Sequence, residues 1–144
     1  MDEENTNIDN GTKGEQLPVE QQKKKILLAE DEQFLLRAYI NKLEHEGFEV
    51  IPVTDGVSAI EKIRSEKPDL VLLDIIMPKK TGFEVLEEAK ADQEISHIPI
   101  VVTSNLGQES DVKTALESGA ADYLIKSNIS TKDLIDKIHE HLSE

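Results

Sequence analysis

Five short apolar runs, each followed by a segment with helical spacing, constrain this chain more than any other feature. The runs are ILLA (26–29), FEVIPV (48–53), LVLL (70–73), IPIVV (98–102) and YLI (123–125). Between them apolar residues recur at helical intervals, as at Leu35, Ala38, Tyr39 and Leu43; the last segment, 131–142, sets Leu134, Ile135, Ile138 and Leu142 on one face. Gly47 and Gly119 stand where helix C-caps belong, and Pro68 follows a helix end. TGFE (81–84) reads as a capping box, with Thr81 as N-cap and Glu84 reaching back. Strands that alternate with helices pair in parallel, because each helix carries the chain back over the sheet by a right-handed crossover. The expectation is an α/β fold, (βα)5, a doubly wound five-stranded parallel sheet with helices on both faces.

Residues 1–25 lie outside this pattern. They carry six acids, four lysines and, besides Met1, only Ile8, Leu17 and Val19 as aliphatics, too little apolar surface to offset the entropy of ordering. The expected organisation is therefore a disordered tail, 1–25, and one folded domain, 26–144. The formal charge of −14 argues against direct binding of nucleic acid, whose phosphates are met by Lys and Arg. The chain has no cysteine, so disulfides and thiolate metal sites are excluded. No apolar run approaches the ~18 residues of a membrane span, and the N-terminus lacks the pattern of a signal peptide. A cytoplasmic protein without membrane contact is the expectation.

In an open α/β sheet, ligands bind beyond the carboxyl ends of the strands. The first run delivers Glu30 and Asp31 there, the second Thr54 and Asp55, the third Asp74, the fourth Thr103 and the fifth Lys126. Each has a mundane explanation taken singly. Glu30, Asp31 and Glu32 could complement the positive end of the following helix, worth ~0.3–1 kcal/mol each. Together they are harder to dismiss, because three carboxylates on one sheet edge repel one another. A divalent cation and a nearby ammonium would relieve that repulsion. An all-oxygen donor set suits Mg²⁺, which keeps several waters that a phosphate can replace. Lys126 would supply the ammonium, and the Thr103 hydroxyl could hydrogen-bond a phosphoryl oxygen.

This constellation resembles the receiver domain of bacterial two-component response regulators over residues 26–144. The most telling stretch is LVLLDIIMPKKTGFEVL (70–86), in which Asp74 is followed by Met77-Pro78 and Gly82. The acidic pair Glu30-Asp31, TS at 103–104 and GAADYLIK at 119–126 complete the set in order. The resemblance implies a flavodoxin-like strand order, 2-1-3-4-5. It implies that Asp74 accepts a phosphoryl group from a histidine of a sensor kinase or phosphotransferase. Asp31 and Asp74 would hold Mg²⁺, helped by Glu30 and by the backbone carbonyl of Ile76. Lys126 would pair with the phosphoryl group, Thr103 would move toward it, and Tyr123 would fill the space that Thr103 vacates. The face formed by the fourth helix, fifth strand and fifth helix would then signal to a protein target. Such a chain is not an enzyme beyond its own phosphorylation and dephosphorylation, and would be a monomer or a phosphorylation-dependent dimer.

The sequence departs from the family where KSN (126–128) stands in place of lysine-proline; a cis bond there would cost ~2.5–4 kcal/mol without proline, so Lys126–Ser127 is either trans or a strained exception. Ile76 is apolar where some members are polar, which implies slow self-dephosphorylation. The end of the chain after the fifth helix suggests a stand-alone receiver, terminal or relaying, with a fragment of a longer regulator as the alternative. A flavodoxin-type flavin protein would want a phosphate loop where AEDEQ stands, and an aspartyl-phosphate phosphatase would want an acid at Ile76. A phosphorylation-independent scaffold of the same fold is the remaining alternative. The four histidines form no ligand-like group with the acids, and His139 and His141 are expected to be solvated.

Overall fold

The structure, a computed structural model, describes residues 22–142. Most of the expected tail, residues 1–21, lies outside them. Five strands alternate with five helices: β1 (Lys25–Ala29), α1 (Gln33–His45), β2 (Glu49–Val53), α2 (Gly56–Glu66), β3 (Leu70–Asp74), α3 (Gly82–Ala91), β4 (Ile100–Ser104), α4 (Glu109–Glu117), β5 (Asp122–Ile125) and α5 (Thr131–Leu142). All pairings are parallel, in the order β2-β1-β3-β4-β5. This is the flavodoxin-like order expected from the family resemblance.

The pleat sorts the strand residues into two cores. Ile26, Leu28, Leu70 and Leu72 pack with Leu36, Tyr39 and Leu43 of α1 and Leu134, Ile135 and Ile138 of α5. Leu27, Ala29, Val71 and Leu73 face the other way, toward Ile60 and Ile63 of α2, Val85 and Leu86 of α3, and Ala115 of α4. Central strands sandwiched in this way must be apolar on both sides, which is why 70–73 and 100–102 read as continuous runs rather than alternations. The outer strand β2 is covered less completely and tolerates Pro52, whose missing N–H would interrupt a ladder in a central strand.

Local signals end the elements as expected. Gly47 and Gly119 take φ of 98° and 108°, values open to glycine at little cost. Thr81 and Glu84 form the reciprocal capping box, each side chain accepting the other residue's backbone N–H. Other expectations need correction. On α1 the inward face is Leu36, Tyr39 and Leu43, whereas Ala38 is exposed; the helix is rotated so that the larger side chains fill the layer. Thr103 lies within β4 instead of following it, since the ladder continues to Ser104. Nor are the terminal histidines all free. His141 Nε2 lies 2.9 Å from Asp122 Oδ2, with Glu140 alongside, and the His139 ring tilts against Phe48 at 5.4 Å. The α5–β5 contact that creates the first pair spans 19 residues and leaves no mark in local sequence. Among the described residues no helix is long and apolar enough to cross a membrane.

Candidate phosphoacceptor site

The carboxyl ends of β1, β3, β4 and β5 lie at one end of the sheet, and with them the polar residues that follow. Glu30 comes directly after β1. Its backbone N–H donates to Val53 O at 3.0 Å, which ties the segment to β2, and the side chain is only 1% exposed. Asp31 is exposed beside it. Glu32 caps α1, its carboxylate accepting the Leu35 N–H at 2.9 Å, so the third acid of the triplet is occupied by the helix. Asp74 is the last residue of β3 and 5% exposed, and its Oδ1 accepts the Ile76 N–H at 3.2 Å. Gly82 lets α3 start against this strand end. A Cβ there would lie 2.4 Å from Asp74 O and 2.6 Å from Ile75 Cα, so no side chain fits.

Lys126 joins the two buried acids. Its Nζ donates to Glu30 Oε1 at 2.5 Å and to Asp74 Oδ2 at 3.0 Å, across 96 and 52 residues of chain. The Glu30, Asp31 and Asp74 carboxylates each place an oxygen within 4.8 Å of the others. One ammonium against three carboxylates leaves two negative charges in excess. Burial pushes the Glu30 carboxyl above its ordinary pKa, with the Lys126 hydrogen bond opposing the rise. For Lys126 burial acts downward, but the hydrogen bonds to Glu30 and Asp74 outweigh it and raise the ammonium's pKa. A cavity of about 290 Å³ opens over the cluster, bordered by Asp31, Asp74, Ile76, Asn105 and Lys126. Ile76 holds its side chain 60% exposed at the mouth.

Thr103 is 3% exposed and directly opposite Asp74 in the β3–β4 ladder. Among the described residues its hydroxyl has no hydrogen-bond partner. Tyr123 stands elsewhere. It pairs with Val102, one ladder step before Thr103 and Leu124, and packs on the α2–α4 side of the sheet, whereas Leu124 belongs to the α1–α5 side. The Tyr123 hydroxyl donates to Leu106 O at 2.5 Å, and Ser104 Oγ accepts the Leu106 N–H at 3.1 Å. Burial raises the phenol's pKa, opposed by the Ser104 hydroxyl nearby. The structure thus gathers Glu30, Asp31, Asp74, Ile76, Thr103 and Lys126 at one strand edge and leaves Tyr123 behind the adjoining loop. Thr54 and Asp55 do not join them: Asp55 Oδ1 accepts the Ser58 N–H at 2.7 Å as the cap of α2. Among the described residues no peptide is cis, so Lys126–Ser127 is trans. Nothing in the sequence marks Asn105. It sits at the cavity rim and its Oδ1 accepts the Ser127 N–H at 3.0 Å, a contact set by the meeting of two loops and carrying no motif.

Comparison with known proteins agrees with this geometry. The family model for the response regulator receiver domain matches residues 26–139. The probable transcriptional regulator ycf27 of Pyropia yezoensis is 39% identical over 124 residues, covering 86% of this chain and 49% of that protein. The polar-differentiation response regulator DivK of Brucella anthropi is 29% identical over 84% of this chain and 98% of its own length. Among solved structures, the phosphorylated cyanobacterial phytochrome response regulator RcpA superposes with a TM-score of 0.72 at 33% identity, covering 83% of this chain and 91% of that one. The chain spans about half the length of the ycf27-type relatives it matches. Fold, site and sequence agree that the chain belongs to the response regulator receiver domain family of two-component signalling.

Proposed function

We propose that the chain is a phosphoacceptor: Asp74 takes a phosphoryl group from a phosphohistidine of a sensor histidine kinase or histidine phosphotransferase. The observation that carries this reading is the meeting of Asp74 and Lys126 at 3.0 Å in a cavity with two uncompensated negative charges. Glu30, Asp31, Asp74 and the Ile76 carbonyl are the groups that would hold Mg²⁺. An all-oxygen set of excess charge −2 fits a hard divalent cation. Bound there, Mg²⁺ supplies the missing positive charge and polarises the transferred phosphoryl group.

The protein's own part is positioning and charge compensation. An Asp74 carboxylate oxygen forms the new O–P bond as the P–N bond of the donor breaks, and the imidazole nitrogen keeps the electron pair and takes up a proton. Lys126, already 3.0 Å from Asp74 Oδ2, remains beside the charge that has arrived. The buried Thr103 hydroxyl, opposite Asp74 and without a partner among the described residues, donates to a phosphoryl oxygen. Because Thr103 and Tyr123 face opposite sides of the sheet, the switch passes through backbone: Thr103 draws on Ser104, Ser104 holds the Leu106 N–H, and Leu106 O holds the Tyr123 hydroxyl. The α4-β5-α5 face changes as a shift between two arrangements that phosphorylation favours unequally. The phosphorylated state of RcpA, a relative at 33% identity, supports the reading. The output partner is a protein, consistent with a formal charge of −14, and the setting is the cytoplasm.

Incubation with Mg²⁺ and acetyl phosphate, followed by intact mass measurement, tests this. One added phosphoryl group is expected, absent from Asp74→Ala and from an EDTA-treated sample. An adduct that survives in Asp74→Ala, or no adduct on the unaltered chain, overturns the proposal.

A further inference from the structure

Lys126 does its work from an insecure place. It follows β5, which among the described residues is an edge strand paired with β4 alone, and the ladder between them ends at the pair Ser104 and Ile125. Lys126, Ser127 and Asn128 form a single 3-10 turn before Ser130, whose hydroxyl accepts the Asp133 N–H at 3.0 Å as α5 begins. Among the described residues no strand pairs with the outer edge of β5 to fix the direction in which the turn leaves the sheet. One contact does so from the inner side. Ser127 donates its N–H to Asn105 Oδ1 at 3.0 Å, with Asn105 the first residue beyond β4.

The side-chain carbonyl of Asn105 here acts as one more rung of the β4–β5 ladder. It begins where the backbone ladder stops, and it holds the residue next to Lys126. Asn105 also borders the cavity shared by Asp74, Ile76 and Lys126. A residue with no acceptor at 105, or without an N–H at 127, would leave the turn held by the ion pairs that it is meant to aim and by the packing of Ile129 that follows it. We infer that Asn105 is a positioning residue for Lys126: its hydrogen bond to Ser127 N–H sets the turn that directs the ammonium at Asp74, and ties that turn to the strand end carrying Thr103. Its part in phosphoryl transfer rests on the phosphoacceptor reading above; its part in holding the turn does not.

The test uses the full chain and the variants Asn105→Ala, Asn105→Asp, Ser127→Pro and the Asn105→Ala/Ser127→Pro pair. Phosphorylation by acetyl phosphate with Mg²⁺ is followed by intact mass, and two NMR signals are read at one fixed pH: the Ser127 amide and the Lys126 ammonium. Asn105→Ala is expected to slow phosphorylation about 3- to 10-fold, the effect of one modest hydrogen bond. It should also shift the Ser127 amide, speed its exchange and broaden the Lys126 ammonium signal, with thermal stability nearly unchanged since both residues are exposed. Asn105→Asp, which keeps an acceptor oxygen, should restore the amide signal. The double variant should be no slower than the slower single one. An unshifted Ser127 amide in Asn105→Ala, or a slower rate with an unaltered Lys126 signal, overturns the inference. If the unaltered chain takes up no phosphoryl group, the acceptor reading fails and the two NMR signals still decide whether Asn105 holds the turn.

Discussion

Replacing Lys126 with methionine isolates the charge that balances the site. Among the described residues its Nζ is the sole side-chain donor to both Glu30 Oε1 and Asp74 Oδ2, on residues 1% and 5% exposed. Methionine keeps most of the volume and removes only the ammonium. Breaking a buried ion pair from one side costs ~3–5 kcal/mol, because the surviving charge keeps its desolvation and loses its partner. Here two carboxylates survive, and the upper half of that range is expected in metal-free buffer at pH 7. For a domain of this size that is a fall in Tm on the order of 15 °C. The pH dependence gives the prediction its sign. Glu30 already has a folded-state pKa raised by burial, so its stabilising contribution is present below the unfolded value of 4.5 and is lost as pH rises through the folded value. Without Lys126, the first of the opposing influences, that folded value climbs further. The deficit of Lys126→Met should therefore be greatest at neutral pH, shrink on acidification as Glu30 takes a proton, and shrink also when Mg²⁺ is added. Urea denaturation at pH 5 and pH 8, with and without Mg²⁺, reads all three. A deficit below ~1 kcal/mol, the level of a surface ion pair, or one indifferent to both pH and Mg²⁺, would refute the reasoning.

Other expectations follow from single contacts. Gly82→Ala places a methyl group 2.4 Å from Asp74 O, against backbone that cannot move aside without moving the acceptor; a loss of ~1–3 kcal/mol by denaturant titration and slower phosphorylation are both expected. Thr81→Ala removes one half of the capping box and should cost ~1 kcal/mol in the same assay, while leaving the phosphorylation rate at saturating donor unchanged. Ile76 offers attacking water no hydrogen bond at the cavity mouth, so the aspartyl phosphate should outlast a timescale of seconds, and Ile76→Asn should shorten its life in a mass-based decay assay.

The sheet was legible because parallel central strands have no solvent face. LVLL and IVV could be recognised as strands from composition alone, and the residue that ends each run falls at the ligand-binding edge whatever the strand order. For the same reason Glu30, Asp74 and Lys126 could be placed together before any distance was known. What could not be read was set by contacts between loops or by the pleat. The pairing of Ser127 with Asn105 spans 22 residues, and that of His141 with Asp122 spans 19, with no periodicity linking either pair. The role of Tyr123, three residues before Lys126, is implied by the family resemblance and not by its own pattern in the sequence. The pleat sets Tyr123 with Val102 on one face and Leu124 with Thr103 on the other, so the two ends of the proposed switch are back to back.

That separation changes what a switch here must do. A hydroxyl and a ring on one face could exchange volume directly, and the loop between them would be a bystander. With the two on opposite faces, a displacement of Thr103 under the proposed switch would reach Tyr123 through β4 and the residues at its end. Those residues are few and each is held: Ser104 Oγ takes the Leu106 N–H, Leu106 O takes the Tyr123 hydroxyl, and Asn105, between them, takes the Ser127 N–H. The end of β4 and the two residues after it thus hold Tyr123 through Leu106 O and the turn of Lys126 through Asn105 Oδ1. A shift at the end of β4 would be felt at two other elements at once, because Asn105 holds the turn after β5, and Leu106, tied to Ser104 Oγ, holds Tyr123 of β5. On the proposed reading such a shift would be passed on as a unit, as a bistable element requires.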